Sequence, residues 1–569
     1  MQYYEPGSEQ LMKKPDRIKT FQTQQEAPKL QNQSNNAFGF WLCAGLLAIL
    51  LASIMARDIG RPFYGLHSWK EAAAAWRARC YLKYDLSYTK GLALWAVGDP
   101  PAEKPNRSLD HPQLGLFMPA LDLAIFGVNE RGARIGGIIR AVLSLLILLR
   151  ILRGLTDDKT ALLAGLLFVL FPLTGYFGVR GWITVASLLA TWCYLVLIGS
   201  IQNGPEPKAF HRWALAISLF LALQFNWEGF FYAFAIGVHY VFRCMHRKQL
   251  PEKGLLAILI IAPLTSLIIN FMVLAAGHGW DLQKVYALYE WRSAKGEMPQ
   301  FLWGPWFAKM WEFAGTNFTL PVLIIAIAYL TLGQLYVFAS PAADRQNTRT
   351  PRRFPQFWLF LMPAIFQLFI LKGALWRHQY WESPAVPFIA IAVALAIMLL
   401  KDIISKANRR AANTAVIVLV GIIFVFCTKA TNFYYHIRWQ QPAKIEMFKN
   451  LNQKIPPDKA LLSFEDLVVN QHPVKGPHYR PEVAWYLDRE IVPARTLKQV
   501  QLYAATGEYP YYLVPFTNYT ASLVRELTGQ YKYEQIPGHD GEATKDGRFV
   551  RAGMYTYLIF DLTRPASGG

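Results

Sequence analysis

Along most of this chain, apolar residues come in blocks of membrane-spanning length, separated by short polar connections. The blocks lie at 38–56, 133–152, 160–177, 182–200, 213–226, 229–243, 255–275, 318–340, 355–372, 383–400 and 413–428. A helix crossing a bilayer needs about 20 residues, fewer where its ends are amphipathic. Each block therefore predicts a transmembrane helix, with 213–226 and 229–243 the shortest. A twelfth apolar run, 114–126, reaches only about 20 Å as a helix against a hydrocarbon core of about 30 Å. It also contains Pro119 and Asp122.

The charges between the blocks predict the topology. Arg153/Lys159, Lys208/Arg212, Arg243/Arg247/Lys248/Lys253, Arg345/Arg349/Arg352/Arg353 and Lys401/Lys406/Arg409/Arg410 fall in every second connection. Cytoplasmic loops carry the excess of Lys and Arg. All these clusters share the cytoplasmic side with the N-terminus only if 114–126 does not cross, so that segment is expected at the outer interface or as a re-entrant piece. The prediction is a polytopic α-helical membrane protein of about eleven transmembrane helices in a cell (inner) membrane. Its N-terminus is cytoplasmic and its C-terminus extracytoplasmic.

Three divisions follow. Residues 1–37 are polar, rich in Gln and Asn, and include Lys13, Lys14, Arg17, Lys19 and Lys29. They read as a disordered cytoplasmic tail rather than a cleavable signal, since no small-residue cleavage site follows a short apolar core. Residues 38–430 form the membrane domain, with a large first outer loop at 57–130. Residues 431–569 alternate short β-like runs (KALLSF, PYYLVP, MYTYLIFDL) with helix-like ones (RPEVAWYLD, LKQVQLYAAT, ASLVRELTGQY). That alternation predicts a C-terminal extracytoplasmic α/β domain. The outer segment 276–316 carries Trp280, Trp291, Trp303, Trp306 and Trp311, a pattern expected to lie flat at the water–lipid boundary.

Composition agrees. The 569 residues are 53% hydrophobic and 17% charged, against about 25% charged in soluble domains, and mean hydropathy is +0.19. The net charge of +20 sits in the loop clusters and forms no stripe or arm, so nucleic acid is not an expected partner. The five cysteines (Cys43, Cys80, Cys193, Cys244, Cys427) have no CxxC spacing and predict neither a zinc site nor a disulfide framework.

The spans hold few ionisable residues, whereas pumps and channels keep such groups in mid-membrane. Polar groups gather instead at the outer helix ends: Arg57, Asp58, Arg180, Asn226, Glu228, Lys372, Arg377, His378, Tyr380 and Glu382. The first outer loop is densest, with a helix-like stretch from His67 to Tyr84 bearing Lys70, Glu71, Arg77 and Arg79, and then Asp110-His111-Pro112. An amphipathic helix with solvated charges and a simple turn cap are the bland alternatives for these two pieces.

The order of these segments resembles the GT-C membrane glycosyltransferases, with protein O-mannosyltransferase-like and lipid A aminoarabinose transferase-like enzymes nearest. The words are HSWKEAxxAxxAR and HPxLxxxxxA in the first loop, FGVNERGAR opening the next span, YFGVRGW at 176–182, FNWEGFF at 225–231 and RHQYWESPAVPF at 377–388. The resemblance covers roughly 38–430.

It implies transfer of a hexosyl or pentosyl unit from a polyprenyl-phosphate donor to an envelope lipid, glycan or protein at the extracytoplasmic face of the bilayer. A carboxylate takes the acceptor's proton and cations hold the departing phosphate. Relatives carry an acidic residue in the first-loop helix. One matching puts Ala73 at that position and another puts Lys70-Glu71 there, making Glu71 and Asp110 the candidate bases. The residues expected to bind substrate are His67, Lys70, His111, Arg180, Glu228, Arg377, His378 and Tyr380. No metal site is assigned and no ligand spacing demands a cofactor, but a divalent cation stays open, since Asp110, Glu71 and His111 are ligand types that suit one. Two other classes stay open: a non-catalytic glycan-binding or envelope-assembly protein on the same fold, favoured by Ala73, and a lipid-linked glycan transporter.

Overall fold

The computed structural model describes residues 37–103, 106–109, 111–180, 185–203, 208–277, 279–295, 301–333, 335, 354–437, 442–464, 467–472, 476–539, 542–543, 549–550 and 554–566. The expected tail, 1–37, lies outside them except for its last residue. So does Asp110, and of Arg180 only the backbone is described.

A bundle of apolar helices forms the larger part. Helix α1 (Ala37–Ala56) leads into the first loop, which holds α2 (Ser68–Lys83) and α3 (Gln113–Phe126). The chain then runs through α4 (Glu130–Leu155), α5 (Asp158–Leu170), α6 (Pro172–Phe177), α7 (Val185–Asn203), α8 (Ala209–Phe225), α9 (Glu228–Arg247) and α10 (Lys253–Gly277). After these come α11 (Leu282–Glu290), α12 (Trp303–Asn317), α13 (Leu320–Ala328), α14 (Phe354–Ile370), α15 (Lys372–Arg377), α16 (Ala385–Ser405) and α17 (Arg409–His436).

Five of these, α1, α4, α10, α16 and α17, are long and apolar enough to cross a membrane. A sixth span would join α12 to the helix that continues α13 through Gly333, across a bend of 108°. Helices α4 and α16 are buried over more than half of their apolar stretch and form the centre. Helices α1, α10 and α17 instead turn Ile49, Ile261, Phe271, Ile417 and Phe424 outward. Backbone polar groups satisfied inside each helix, with apolar side chains outside, suit a lipid surround.

The sequence explains the interruptions. The run expected at 160–177 breaks between Phe171 and Pro172, because proline at the first helical position has no N–H for the preceding turn. Asp157 caps α5 by accepting from Lys159 N and Thr160 N, and Asn129 caps α4 by accepting from Gly132 N. Helix α17 continues to His436, so the last span outruns the boundary expected at 430.

Helix α3, with fourteen residues, stays short and packs along α2, α4 and α8. Asp122 in α3 makes a two-pronged ion pair with Arg140 of α4, at 2.8 and 3.1 Å. Two glycines permit this crowding: a Cβ on Gly115 would lie 1.8 Å from the Phe225 carbonyl oxygen, and one on Gly137 would lie 1.9 Å from that of Val179.

Beyond α18 (Pro442–Lys454) lies a five-stranded sheet of order β4-β1-β5-β9-β6. The strands are β1 (Leu461–Ser463), β4 (Ile491–Pro493), β5 (Tyr511–Phe516), β6 (Tyr531–His539) and β9 (Met554–Pro565). Strand β1 is parallel to β4 and β5, while β9 is antiparallel to β5 and β6. Two small ladders stand apart, β2 (Val468–His472) with β3 (Gly476–Tyr479), and β7 (Glu542–Ala543) with β8 (Phe549–Val550). One face of the main sheet packs under α20 (Leu497–Ala504) and α21 (Ala521–Thr528).

The other face shares a core with the first loop. Phe63, Ala72, Ala73, Trp76, Phe448, Trp485, Tyr486 and Tyr557 all belong to it. Helix α19 (Pro481–Leu487) lies on α2. Arg79 donates to the carbonyls of Ala484 and Trp485 at the C-terminal end of α19, and Asp488 pairs with Arg79 (3.1 Å) and Lys83 (2.8 Å). Cations at a helix C-terminus satisfy orphan carbonyls and oppose the dipole. Ala73 is only 2% exposed in this joint. Ala73 is thus part of the core that α2 shares with the sheet domain.

Candidate functional site

Helix α2 begins from an unusual backbone. His67, just before its first turn, has φ of 54°, a left-handed conformation rare for a side-chain-bearing residue. The turn is held by Tyr176, whose hydroxyl donates to the Leu66 carbonyl at 3.0 Å. From this start, successive side chains of α2 diverge by about 100°, and Lys70 and Glu71 enter different neighbourhoods.

Glu71 enters a small cleft lined by Met55, Asp58, Arg61, Arg134, Tyr176 and Tyr435 among others. Its Oε2 accepts from Arg134 Nη2 at 2.7 Å. Arg134 Nη1 also donates to the carbonyls of Asp58 (3.2 Å), Ile59 (3.0 Å) and Arg61. One buried guanidinium thus ties the turn after α1 to α2. In the same cleft Asp58 Oδ2 pairs with Arg61 Nη1 at 2.6 Å, and Arg61 also donates to the Tyr435 carbonyl.

Lys70 faces aromatic rings. Its Nζ lies 4.0 Å from the Tyr380 ring centre and 5.4 Å from that of Trp381, within range of a cation–π attraction. His378 stacks on Tyr380 at 5.1 Å, with the planes 9° apart, and meets His67 and Trp69 edge-on or tilted. His111 stacks on Trp381, and Arg292 from the turn after α11 lies 5.8 Å from the same ring. Burial holds the His378 imidazole well below its ordinary range, and the charges of His67, Lys70, Arg377 and Arg292 push it the same way. His67 and Lys70 from the first loop and Arg292 from the turn after α11 thus lie against the His378, Tyr380 and Trp381 rings.

The bundle supports this cluster from below. Asn317 donates to the Gln379 carbonyl and to Glu382 Oε2, and Gln367 donates to the Trp381 carbonyl. Burial pushes Glu382 up to about 8, against the lowering effect of its Asn317 bond.

Of the residues expected from sequence, His67, Lys70, His111, His378 and Tyr380 meet through the ring contacts of this cluster, Arg377 adjoins His378 in the chain, and Glu71, next to Lys70 on α2, pairs with Arg134. The described lining of the Glu71 cleft does not include Arg377. Glu228 is buried at the start of α9, in the corner where Trp227 packs near Leu109 and Leu274. Asp110 and the Arg180 side chain lie outside the described residues. Among the described residues no group of three or more His, Cys, Asp or Glu is arranged to hold a metal ion.

Sequence patterns missed three contributors. Arg134 sits inside the word FGVNERGAR, and Arg61 closes the turn DIGR with Asp58, which counts among the outer-end polar groups but is given no role by the sequence. Arg292 had no readable signal, because the tryptophan-rich segment was expected to lie flat on the membrane. That segment buries Trp291 and Trp306, donates Trp306 Nε1 to the Lys372 carbonyl, and leaves Trp280, Trp303 and Trp311 exposed.

Comparison with known proteins agrees with the architecture. Residues 110–269 match the family model described as dolichyl-phosphate-mannose-protein mannosyltransferase. The undecaprenyl phosphate-alpha-4-amino-4-deoxy-L-arabinose arabinosyl transferases of Pseudomonas paraeruginosa and Pseudomonas aeruginosa are each 26% identical over 273 residues. That stretch is 46% of this chain and 46% of each relative, so the chain spans about half the length of the relatives it matches.

In three dimensions the chain is similar to ArnT from Cupriavidus metallidurans bound to undecaprenyl phosphate: TM-score 0.53, 11% identity, 92% of this chain and 98% of that one. It is also similar to the apo oligosaccharyltransferase of Archaeoglobus fulgidus: TM-score 0.52, 12% identity, 91% and 74%. The chain shares the polytopic helical membrane fold of these two structures, as the sequence resemblance implied.

Proposed function

We propose that this chain is an integral membrane glycosyltransferase that moves a hexosyl or pentosyl unit from a polyprenyl-phosphate donor to an envelope lipid, glycan or protein acceptor at the extracytoplasmic face. The observation that carries this reading is the convergence of Lys70, Arg292 and Arg377 around His378, beside the Tyr380 and Trp381 rings. A phosphate diester leaving from an anomeric carbon gains charge on its oxygens, and fixed cations stabilise that charge where it develops. In this reading Lys70 and the two arginines receive the phosphate, the flat rings border the sugar, and His67 and His111 orient substrate. The acceptor oxygen attacks the anomeric carbon, the carbon–phosphate oxygen bond breaks, and a first-loop carboxylate accepts the acceptor's proton.

Glu71 and Asp110 are the carboxylates the resemblance nominates. Glu228, buried at the start of α9, is proposed as a donor contact, and Arg180 as a further phosphate ligand.

The test is release of free polyprenyl phosphate by full-length protein in lipid nanodiscs, with a panel of polyprenyl-phosphate sugars and envelope acceptors. The native chain is compared with Lys70→Met, Asp110→Asn and Glu71→Gln, with and without EDTA. Release by native protein that Lys70→Met depresses at least tenfold supports the reading. Folded native protein that releases nothing from any donor overturns it in favour of glycan binding. Loss on chelation would add a divalent cation to the site.

A further inference from the structure

Resting on that reading, we infer that the carboxylate which meets the acceptor is Asp58, while Glu71 belongs to the scaffold that holds Asp58 in place.

Both residues line one cleft, yet they are held differently. The Glu71 side chain is 7% exposed and its Arg134 partner 8%. An acid enclosed with a guanidinium keeps neither the solvent contact nor the freedom to exchange a proton with an incoming hydroxyl. The Arg134 that binds it also bonds the carbonyls of Asp58, Ile59 and Arg61. Glu71 and Arg134 thus form a brace whose other end is the backbone of Asp58 itself.

Asp58 has the properties Glu71 lacks. Its side chain is 35% exposed. Its Oδ2 is anchored by Arg61 Nη1 at 2.6 Å, and its Oδ1 has no hydrogen-bond partner among the described residues. Arg61 is itself fixed by its bond to the Tyr435 carbonyl and by the Tyr64 ring, 4.4 Å from its guanidinium carbon. A carboxylate with one oxygen held by a guanidinium, on a partly exposed side chain that lines the cleft, is the arrangement of an oriented general base. In the step it would serve, Oδ1 accepts the proton of the acceptor's nucleophilic O–H as that oxygen bonds to the anomeric carbon. The electron pair of the breaking bond departs with the polyprenyl phosphate, and the proton later leaves Asp58 to water.

The experiment compares Asp58→Asn, Asp58→Glu, Glu71→Gln and Asp110→Asn with native full-length protein in nanodiscs, using the donor and acceptor the native chain turns over. Thermal melts and donor KM are measured alongside. Asp58→Asn is expected to lower kcat about 10²- to 10⁴-fold, the usual worth of a general base. Its melt and donor KM should hold within about twofold of native, and the acid limb of its kcat–pH profile should disappear. Asp58→Glu, keeping a carboxylate, recovers part of the rate and restores the limb. Glu71→Gln mainly lowers the melting temperature. Asp58→Asn within threefold of native kcat overturns the inference and leaves the function standing, as does an Asp110→Asn that alone removes the acid limb. A native chain that releases no polyprenyl phosphate overturns the function, and the base assignment with it.

Discussion

Arg134 Nη2 and Glu71 Oε2 stand 2.7 Å apart across sixty-three residues of sequence, and this buried pair joins the start of α4 to the first helix of the loop. Removing one member of a buried ion pair strands the other charge and costs about 3–5 kcal/mol. Arg134→Gln also orphans three carbonyl acceptors. It is expected to destabilise the protein by at least that much in chemical denaturation, and more than Glu71→Gln does.

Lys70 above the Tyr380 ring predicts a split between binding and folding. A cation–π contact is worth about 0.5–2 kcal/mol, so Lys70→Met should shift the melt only slightly. If the phosphate reading holds, the same change weakens polyprenyl-phosphate binding about tenfold or more. It also lets the His378 imidazole rise from its depressed position, which histidine NMR would follow.

The joint between α2 and the sheet domain contains Glu482, which accepts from the Ser68 hydroxyl at 3.3 Å. Burial pushes it up to about 7, opposed by its own backbone bond, Ser68 and Arg480. The folded protein therefore binds this proton more tightly than the unfolded chain, whose glutamate titrates near 4.5. Stability contributed here falls as pH climbs from about 4.5 to 7, by on the order of 2–4 kcal/mol, and levels off above. Glu482→Gln should flatten that slope and raise the melting temperature at pH 8. A slope that the variant leaves intact would assign it to other groups.

Gly137 faces the Val179 carbonyl so closely that an added Cβ would lie 1.9 Å from the oxygen. The neighbour is backbone and has no rotamer to escape through. Gly137→Ala is expected to cost about 3 kcal/mol or more, seen as lost folded yield in detergent. Gly199→Ala, where a Cβ meets nothing within 4 Å, serves as the tolerated control.

Much of the bundle was legible because a bilayer enforces a one-dimensional rule. Apolar runs of sufficient length declare helices wherever they lie, so α1, α4, α10, α16 and α17 stand where hydropathy put them. Where the rule weakens, local chemistry intervened. Pro172 broke a run that looked continuous, and α17 ran on through Thr431 to His436 because its last turns found partners in the loop (Arg57 donating to Asn432, Arg61 to the Tyr435 carbonyl).

The site was legible only as a list. Composition and spacing put Lys70, Glu71, Arg377, His378 and Tyr380 at helix ends, and words such as HSWKEA and RHQYWE marked the segments that carry them. Which of them touch is a matter of angles and long-range closure that no local pattern encodes. Adjacent residues on α2 point about 100° apart, so Lys70 met aromatic rings more than 300 positions away and Glu71 met Arg134. The sequence by itself determined that this is a membrane bundle with its polar groups massed at helix ends, because burying unpaired charge in hydrocarbon is too costly to allow otherwise. Only the tertiary structure decided that Ala73 is buried in the joint, that Arg292 lies against the Trp381 ring, and that Asp58, paired with Arg61, shares a cleft with Glu71. Those outcomes depend on how the C-terminal sheet and the first loop close on each other.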